Sequence, residues 1–298
     1  MLGPVRFRVA AMASRPAQGV ASCSRLTNRV PRRPAGGRSW EAVVVSRRVP
    51  FAGALNFRDI GGYPAGDGGQ THWGVVYRSD SLHFLTPDDL PVFDALDIRA
   101  IYDLRRSAEL ARHPGPREHV HVELRHRDPL DPGESARLAT RLDGERWLLA
   151  DYRGMLADAA TSFGELFSRL ANPGRLPAVI HCLGGKDRTG LAIALLLTAL
   201  GVPRQAVLDD YQLTNDYRGV AHSSDVVELF VRSGMAPEAA KGLLGAPRWV
   251  MARALDELDD THAGIEDYLL GPGGMRPATL AALRTVLVGR SPHRGGLQ

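Results

Sequence analysis

The sequence predicts an α/β layer fold with a central, mainly parallel sheet, helices on both sides and a helical C-terminal portion. Three observations carry that prediction. Short runs rich in β-branched residues ("IRAIYDLR", "HVHVEL", "LPAVIHC") alternate with segments whose apolar residues recur every three or four positions. The run "LPAVIHC" is too apolar for a strand with one wet face, which suits a parallel sheet covered on both sides. Beyond residue 200, "PRQAVLDDYQLTND", "SDVVELFVRSG", "APEAAKGLL", "RWVMARALDELDD", "GIEDYLL" and "RPATLAALRTVLV" all read helical.

Taken in order, residues 1–48 are Arg-rich and acid-poor with no strong apolar period. They read as a disordered leader or a start codon placed too early, although a transit peptide shares the composition. One domain is expected over 49–288, with a disordered tail at 289–298. "ALNFRDIGGYPAGDGGQTHWGVVYRSD" predicts two short strands joined at "GDGG", where Gly and Asp supply the positive φ of a tight turn. In "LTPDDLPVFDAL", Thr86 reads as an N-cap, Pro87 as the first helical residue, and Asp88 and Asp89 as acids at the positive helix end. "WLLADYRGMLADAATSFGELFSRLAN" predicts one long helix stopped by "NPG". After "LPAVIHC" a loop leads into a helix from Arg188 to about Leu200, closed by Gly201.

Composition removes several classes of function. The chain carries a net charge of +4, but residues 1–48 hold ten arginines against the single acid Glu41, so the remainder sits at −5. No basic face for nucleic acid is implied. The longest apolar run, Leu191–Leu200, is half of what a membrane helix needs. Two cysteines, Cys23 and Cys182, make no disulfide framework, and a reducing, cytoplasmic compartment is the simpler inference.

The chemistry concentrates in "HCLGGKDRTG", residues 181–190. A nucleotide-binding P-loop does not fit, because Ile180 stands where the first glycine belongs and Asp187 where a magnesium-binding hydroxyl is required. Zinc does not fit either, since no further cysteine follows Cys182. What does fit is an anion cradle: successive backbone amides and a helix N-terminus around a phosphate, Arg188 as a guanidinium fork, and Cys182 at the base facing the phosphorus. A free thiol titrates near 8.5, and reacting well as a thiolate takes roughly 4 kcal/mol of stabilisation. A helix dipole supplies only about 0.3–2 kcal/mol. The amides, Arg188 and the Thr189 hydroxyl must contribute the rest. A buried core thiol is the plain alternative.

The loop resembles the HCxxGKDRTG signature of the cysteine-dependent phosphatases, in particular the bacterial PtpB-like tyrosine phosphatases, relatives of the atypical dual-specificity type. "NFRDIGGY", "YRSDSL", "IYDLRRSAE", "DDYQLTND" and "GIEDYLL" resemble that family's landmarks in the same order over about residues 50–285. The resemblance implies a cysteine-phosphatase-type three-layer fold and a phosphocysteine intermediate formed by Cys182. Arg188 and the amides of Leu183, Gly184, Gly185, Lys186, Asp187 and Arg188 would hold the transferring phosphoryl, and Thr189 would stabilise the departing thiolate. His181 would brace the loop, with no metal and no cofactor.

Two aspartates compete as general acid under the resemblance: Asp187 in the loop, preferred for the family's lysine–aspartate pair, and Asp128 in "RHRDPLDP". Lys186 is expected at the pocket rim, where a second cation suits phosphoinositides as well as phosphoproteins. Arg58, Asp59, Arg78, Asp103 and Arg105 are expected in buried ion pairs that brace the loop. A phospho-binding module without turnover is the alternative function; the presence of both Cys182 and Arg188 argues against it. Residues 218–262 are expected as a lid. Relatives exported without an evident signal leave export open, and oligomeric state is not legible.

Overall fold

The computed structural model describes residues 46–290 apart from 67, 116–118, 125–130 and 219. Asp128, most of the expected leader and residues 291–298 lie outside the described residues. The strands are β1 (Arg58–Asp59), β2 (Pro64–Ala65), β3 (Gly69–Thr71), β4 (Val76–Ser79), β5 (Ala100–Asp103), β6 (Val120–His121), β7 (Ala178–His181) and β8 (Val288–Arg290). The helices are α1 (Leu90–Ala95), α2 (Ser107–Arg112), α3 (Pro132–Arg137), α4 (Arg141–Asp158), α5 (Ala160–Leu170), α6 (Arg188–Ala199), α7 (Arg204–Tyr217), α8 (Val220–Arg232), α9 (Pro237–Leu244), α10 (Arg248–His262), α11 (Ile265–Leu270) and α12 (Pro277–Leu287).

The expected mixed α/β fold is present. Five strands run in the order β1-β4-β7-β5-β6, with β4, β7, β5 and β6 mutually parallel and β1 antiparallel at the edge. Every residue of β4, β5 and β7 is buried, as a sheet covered on both faces requires. Side chains alternate between two cores. Val76, Ala100, Tyr102, Ala178 and Ile180 join the larger one, while Tyr77, Ile101 and Val179 meet Phe51, Phe57 and Phe93 on the opposite face.

Register decides where the chemistry sits. Ser79, His181 and Asp103 are aligned across β4, β7 and β5, so the loops leaving all three strands gather at one sheet end. Ligand sites of parallel sheets form at that carboxyl end. Helix α6 leaves it with eleven of its twelve residues buried and ends where Gly201 adopts φ +77°.

Five local expectations are corrected. The first turn of α1 begins at Leu90, not Pro87, because the Asp89 carboxylate accepts from the amides of Ala52, Gly53 and Thr86 and holds residues 86–89 as a turn. The long helix is two helices: at Ala159 the backbone leaves helical values (φ −109°, ψ 16°), and the Tyr268 hydroxyl donates to the Leu156 carbonyl at 2.7 Å. The break lets α4 pack on α9 and α10 while α5 packs on α11 and α12. Within "HVHVEL" the strand is only Val120 and His121 in register with β5, followed by the Val122 amide donating to the Asp103 carbonyl.

At the N-terminal boundary, residues of the expected leader are packed. Arg47 stacks over the Tyr63 ring at 3.7 Å and bonds the Gly61 carbonyl, and Arg48 bridges Arg58. At the other boundary, Gly289 and Arg290 extend past the expected end as β8, which pairs with β3 in a second sheet, β2-β3-β8. Strand propensity in "LVGR" is too weak to announce a partner more than 200 residues away.

Candidate active site

Residues 182–187 turn from the buried end of β7 into α6. Gly185 sits at φ +63°, and a Cβ there would lie 2.5 Å from both Ser79 O and Asp80 N, so β4 presses directly against the loop backbone. The Gly185 carbonyl is turned away from the loop interior into two buried donors, Arg78 Nη2 at 2.8 Å and Asn56 Nδ2 at 3.0 Å. The Leu183 carbonyl likewise accepts from Ser81 N at 3.0 Å. Carbonyls held outward leave amides for the interior. None of the amides of Leu183, Gly184, Gly185, Lys186, Asp187 and Arg188 donates a hydrogen bond within the protein among the described residues. Unpaired amides in such number are rare, and here they surround the N-terminus of α6.

Cys182 lies at the base, 2% exposed. Beside it, Arg188 is held by Glu109 of α2 in a two-pronged contact, Nη1 to Oε2 at 2.6 Å and Nη2 to Oε1 at 3.1 Å, with Nη1 also donating to the Leu104 carbonyl. Burial alone would lower the Arg188 pKa, but the Cys182 sulfur and the Glu109 carboxylate outweigh it and hold the guanidinium more firmly charged. Burial likewise opposes ionisation of Glu109, yet the Arg188 contact brings it down to about 2. The Thr189 hydroxyl is buried with no hydrogen-bond partner among the described residues.

His181 is fully buried, and burial lowers its pKa to about 4 against the pull of Asp103, so the ring is neutral at pH 7. Its Nδ1 stands 3.2 Å from the Cys182 carbonyl, which only accepts, so this nitrogen carries the proton. Asp103 spends its carboxylate on Arg105, Oδ1 from Nε at 2.9 Å and Oδ2 from Nη2 at 2.6 Å. It lies 3.7 Å from His181 Nε2.

A second arginine cluster supports the loop from the other side. Asp210 of α7 accepts from Arg58 Nε at 3.1 Å and Arg78 Nη1 at 2.5 Å, with all three side chains almost wholly buried. Burial would raise the Asp210 pKa, but the two guanidinium groups carry it well below the usual carboxylate range. Arg58 also bonds Asn56 and Thr214, and Arg78 passes the support to Gly185.

Two expectations fail. Lys186 is no rim cation: it is 3% exposed, and its ammonium donates to the carbonyls of Leu243 at 2.7 Å and Gly245 at 2.9 Å, at the C-terminus of α9. A buried ammonium needs acceptors, and the end of a helix supplies them. The segment expected as a lid, 218–262, comprises α8, α9 and α10, and Lys186 ties α9 to the loop. Among the described residues Asp59 braces no ion pair at the loop either. Its carboxylate caps the amides of Gly61 and Gly74 at 2.7 Å each, and burial raises its pKa to about 6.

Asp187, about a third exposed, accepts from the Tyr152 hydroxyl at 2.9 Å and lies 3.0 Å from the Lys186 ammonium. Burial would raise its pKa, but Lys186 and then Tyr152 bring it below the ordinary carboxylate value. The guanidinium of Arg218, at the end of α7, sits 3.7 Å from where a Gly184 Cβ would be. Asp128 lies outside the described residues.

Glu109, Asp210, Asn56, Tyr152 and Tyr211 belong to the site and were not singled out from the sequence. Glu109 stands in "RRSAE" and Asp210 in "DDYQLTND", both visible as landmarks, but partners 79 and 132 positions apart leave no local signal.

Comparison with known proteins agrees with this geometry. The sequence pattern of the tyrosine phosphatase family matches residues 49–289. Triple specificity protein phosphatase PtpB of Mycobacterium tuberculosis is 30% identical over 283 residues, covering 82% of this chain and 99% of that protein. A Cupriavidus necator protein is 26% identical over 250 residues, 80% of this chain and 88% of its own length. A tyrosine-protein phosphatase of Nostoc commune is 27% identical over 148 residues, about half of each chain.

Proposed function

This chain belongs to the tyrosine phosphatase family and is a protein tyrosine phosphatase; from that premise we propose that it works through two displacements at Cys182. In the first, the thiolate attacks phosphorus, the S–P bond forms as the ester P–O bond breaks, and the departing oxygen takes a proton. In the second, water attacks the phosphocysteine, gives up a proton, and the S–P bond breaks to release phosphate and the thiolate. The unpaired amides of residues 183–188 are the observation that carries this reading. They and Arg188 bind the three equatorial oxygens, whose charge is spread most widely at the transition state. The Thr189 hydroxyl, without a hydrogen-bond partner among the described residues, would serve the sulfur as it departs.

Asp187 is the acid–base group in this proposal, with Asp128 as its competitor. The Asp187 carboxylate is ionised in the free enzyme. An entering phosphate dianion placed beside it favours the protonated form, and that proton passes to the leaving oxygen in the first step. The same carboxylate then takes the proton of water in the second. Phosphorylated proteins are the substrate class. The triple-specificity name of one relative supports extending the assay beyond phosphotyrosine; phosphoserine, phosphothreonine and phosphoinositides are the substrates to add.

Cys182→Ser tests the mechanism: hydrolysis of an aryl phosphate is lost while a phosphate analogue still binds. Wild-type turnover in that variant would refute it.

A further inference from the structure

Behind Asp187 stands a chain of hydroxyl groups that no step above uses. Tyr152 of α4 and Tyr211 of α7 are buried, with hydroxyl oxygens 2.8 Å apart, and Tyr152 also reaches Asp187 Oδ1 at 2.9 Å. Proton direction follows from chemistry. An ionised carboxylate only accepts, so the single proton of Tyr152 goes to Asp187, and Tyr211 must donate to Tyr152. Burial is the first cause that keeps both phenols protonated, and the Asp187 charge adds to it. Such chains strengthen each member, because the hydroxyl that accepts becomes the better donor.

The packing is specific. Gly190, the last residue of the loop signature, lets the Tyr211 ring approach so closely that a Cβ there would meet ring carbons at 3.2 Å. The rings of Tyr152 and Tyr211 meet edge to face, with centroids 6.3 Å apart. Both hydroxyls are therefore fixed by core packing, whereas the carboxylate they hold is partly open to solvent.

Given the reading of Asp187 as the acid–base group, on which this inference rests, we propose that Tyr152, oriented by Tyr211, is a positioning residue that fixes the Asp187 carboxylate and sets the pH at which it exchanges its proton. The charged and titratable groups that face Asp187 are Lys186 and Arg188 from the loop, Tyr152 from α4, and Tyr211 and Arg218 from α7. Only the two tyrosines can be changed without altering net charge at neutral pH.

The test compares Tyr152→Phe, Tyr211→Phe and Asp187→Asn by pH–rate profiles on aryl phosphates of differing leaving-group pKa. It is paired with a direct titration of 13C-labelled aspartate carboxyls in the Cys182→Ser protein, Asp187 being assigned by its absence in Asp187→Asn. Loss of a hydrogen bond to a charged group moves the Asp187 pKa up by about one unit in Tyr152→Phe, and by less in Tyr211→Phe. Turnover in Tyr152→Phe falls roughly 10-fold, most for poor leaving groups. An unchanged Asp187 titration in Tyr152→Phe overturns the proposal. Should Asp187→Asn keep wild-type turnover on every leaving group, the acid–base reading fails instead, and the titration still shows whether the tyrosines control the carboxylate. If Tyr152→Phe does not fold, Tyr211→Phe, which removes only the outer oxygen, decides the question by the same two measurements.

Discussion

Two buried guanidinium–carboxylate clusters flank the phosphate loop, and they differ in what their arginines hold. On the α7 side, Arg58 commits Nε, Nη1 and Nη2 to Asp210, Asn56 and Thr214, and Arg78 binds Asp210 and the Gly185 carbonyl. On the α2 side, Arg188 is held through its Nη groups alone; its Nε donates to nothing among the described residues. The α7-side cluster carries backbone, and its unspent Arg78 Nε is buried with no partner among the described residues; the α2-side cluster is anchored at one edge, through the Nη groups of Arg188. The α7-side arginines thus hold scaffold backbone, whereas Arg188, bound along one edge, is the one the proposed mechanism uses.

The largest effect expected from this contrast is on folding. Asp210→Asn leaves two buried arginines against no carboxylate, which costs about 3–5 kcal/mol and lowers the urea midpoint steeply. A midpoint within error of wild type would dissolve the distinction.

Glu109→Gln should cost less stability but act on catalysis, since it loosens Arg188, the arginine proposed to hold the phosphoryl group. About 3 kcal/mol of stability and roughly a 10-fold fall in kcat are expected, with KM moving less. The sign with pH is set by the lowered Glu109 value. The pair stabilises the fold fully above pH 4.5, and that contribution fades as pH falls towards 2. Acid unfolding over that window should flatten in Glu109→Gln, and an unchanged profile would show that the pair adds nothing.

Smallest is Arg106→Ala. This side chain lies 3.6 Å from Glu109 and is about a third exposed, whereas the bond that positions Glu109 comes from the Arg106 backbone amide at 2.8 Å. A change below about 1 kcal/mol is expected, with kcat untouched. A large loss would move the anchor of Arg188 from the backbone to a side chain.

Much of the site was legible because it is local. Cys182, the glycines, Arg188 and Thr189 lie within eight residues, so spacing alone predicts a strand, an anion cradle and a helix start. Lys186 was misplaced by the same logic. From sequence it is a cation beside a phosphate site, and only the arrival of the α9 carbonyls turns it inward. Asp59 and Asp103 read alike as acids beside strands, yet one caps backbone amides and the other binds Arg105.

Sequence by itself therefore determined the α/β class with its mainly parallel sheet and the loop between strand and helix, since these follow from periodicity, turn chemistry and short-range spacing. Tertiary structure alone decided which acid holds which arginine, where Lys186 points and that two tyrosines stand behind Asp187. Those pairings join α2, α4, α7 and α9 to the loop across dozens of residues, and a buried charge takes whichever partner the packing delivers.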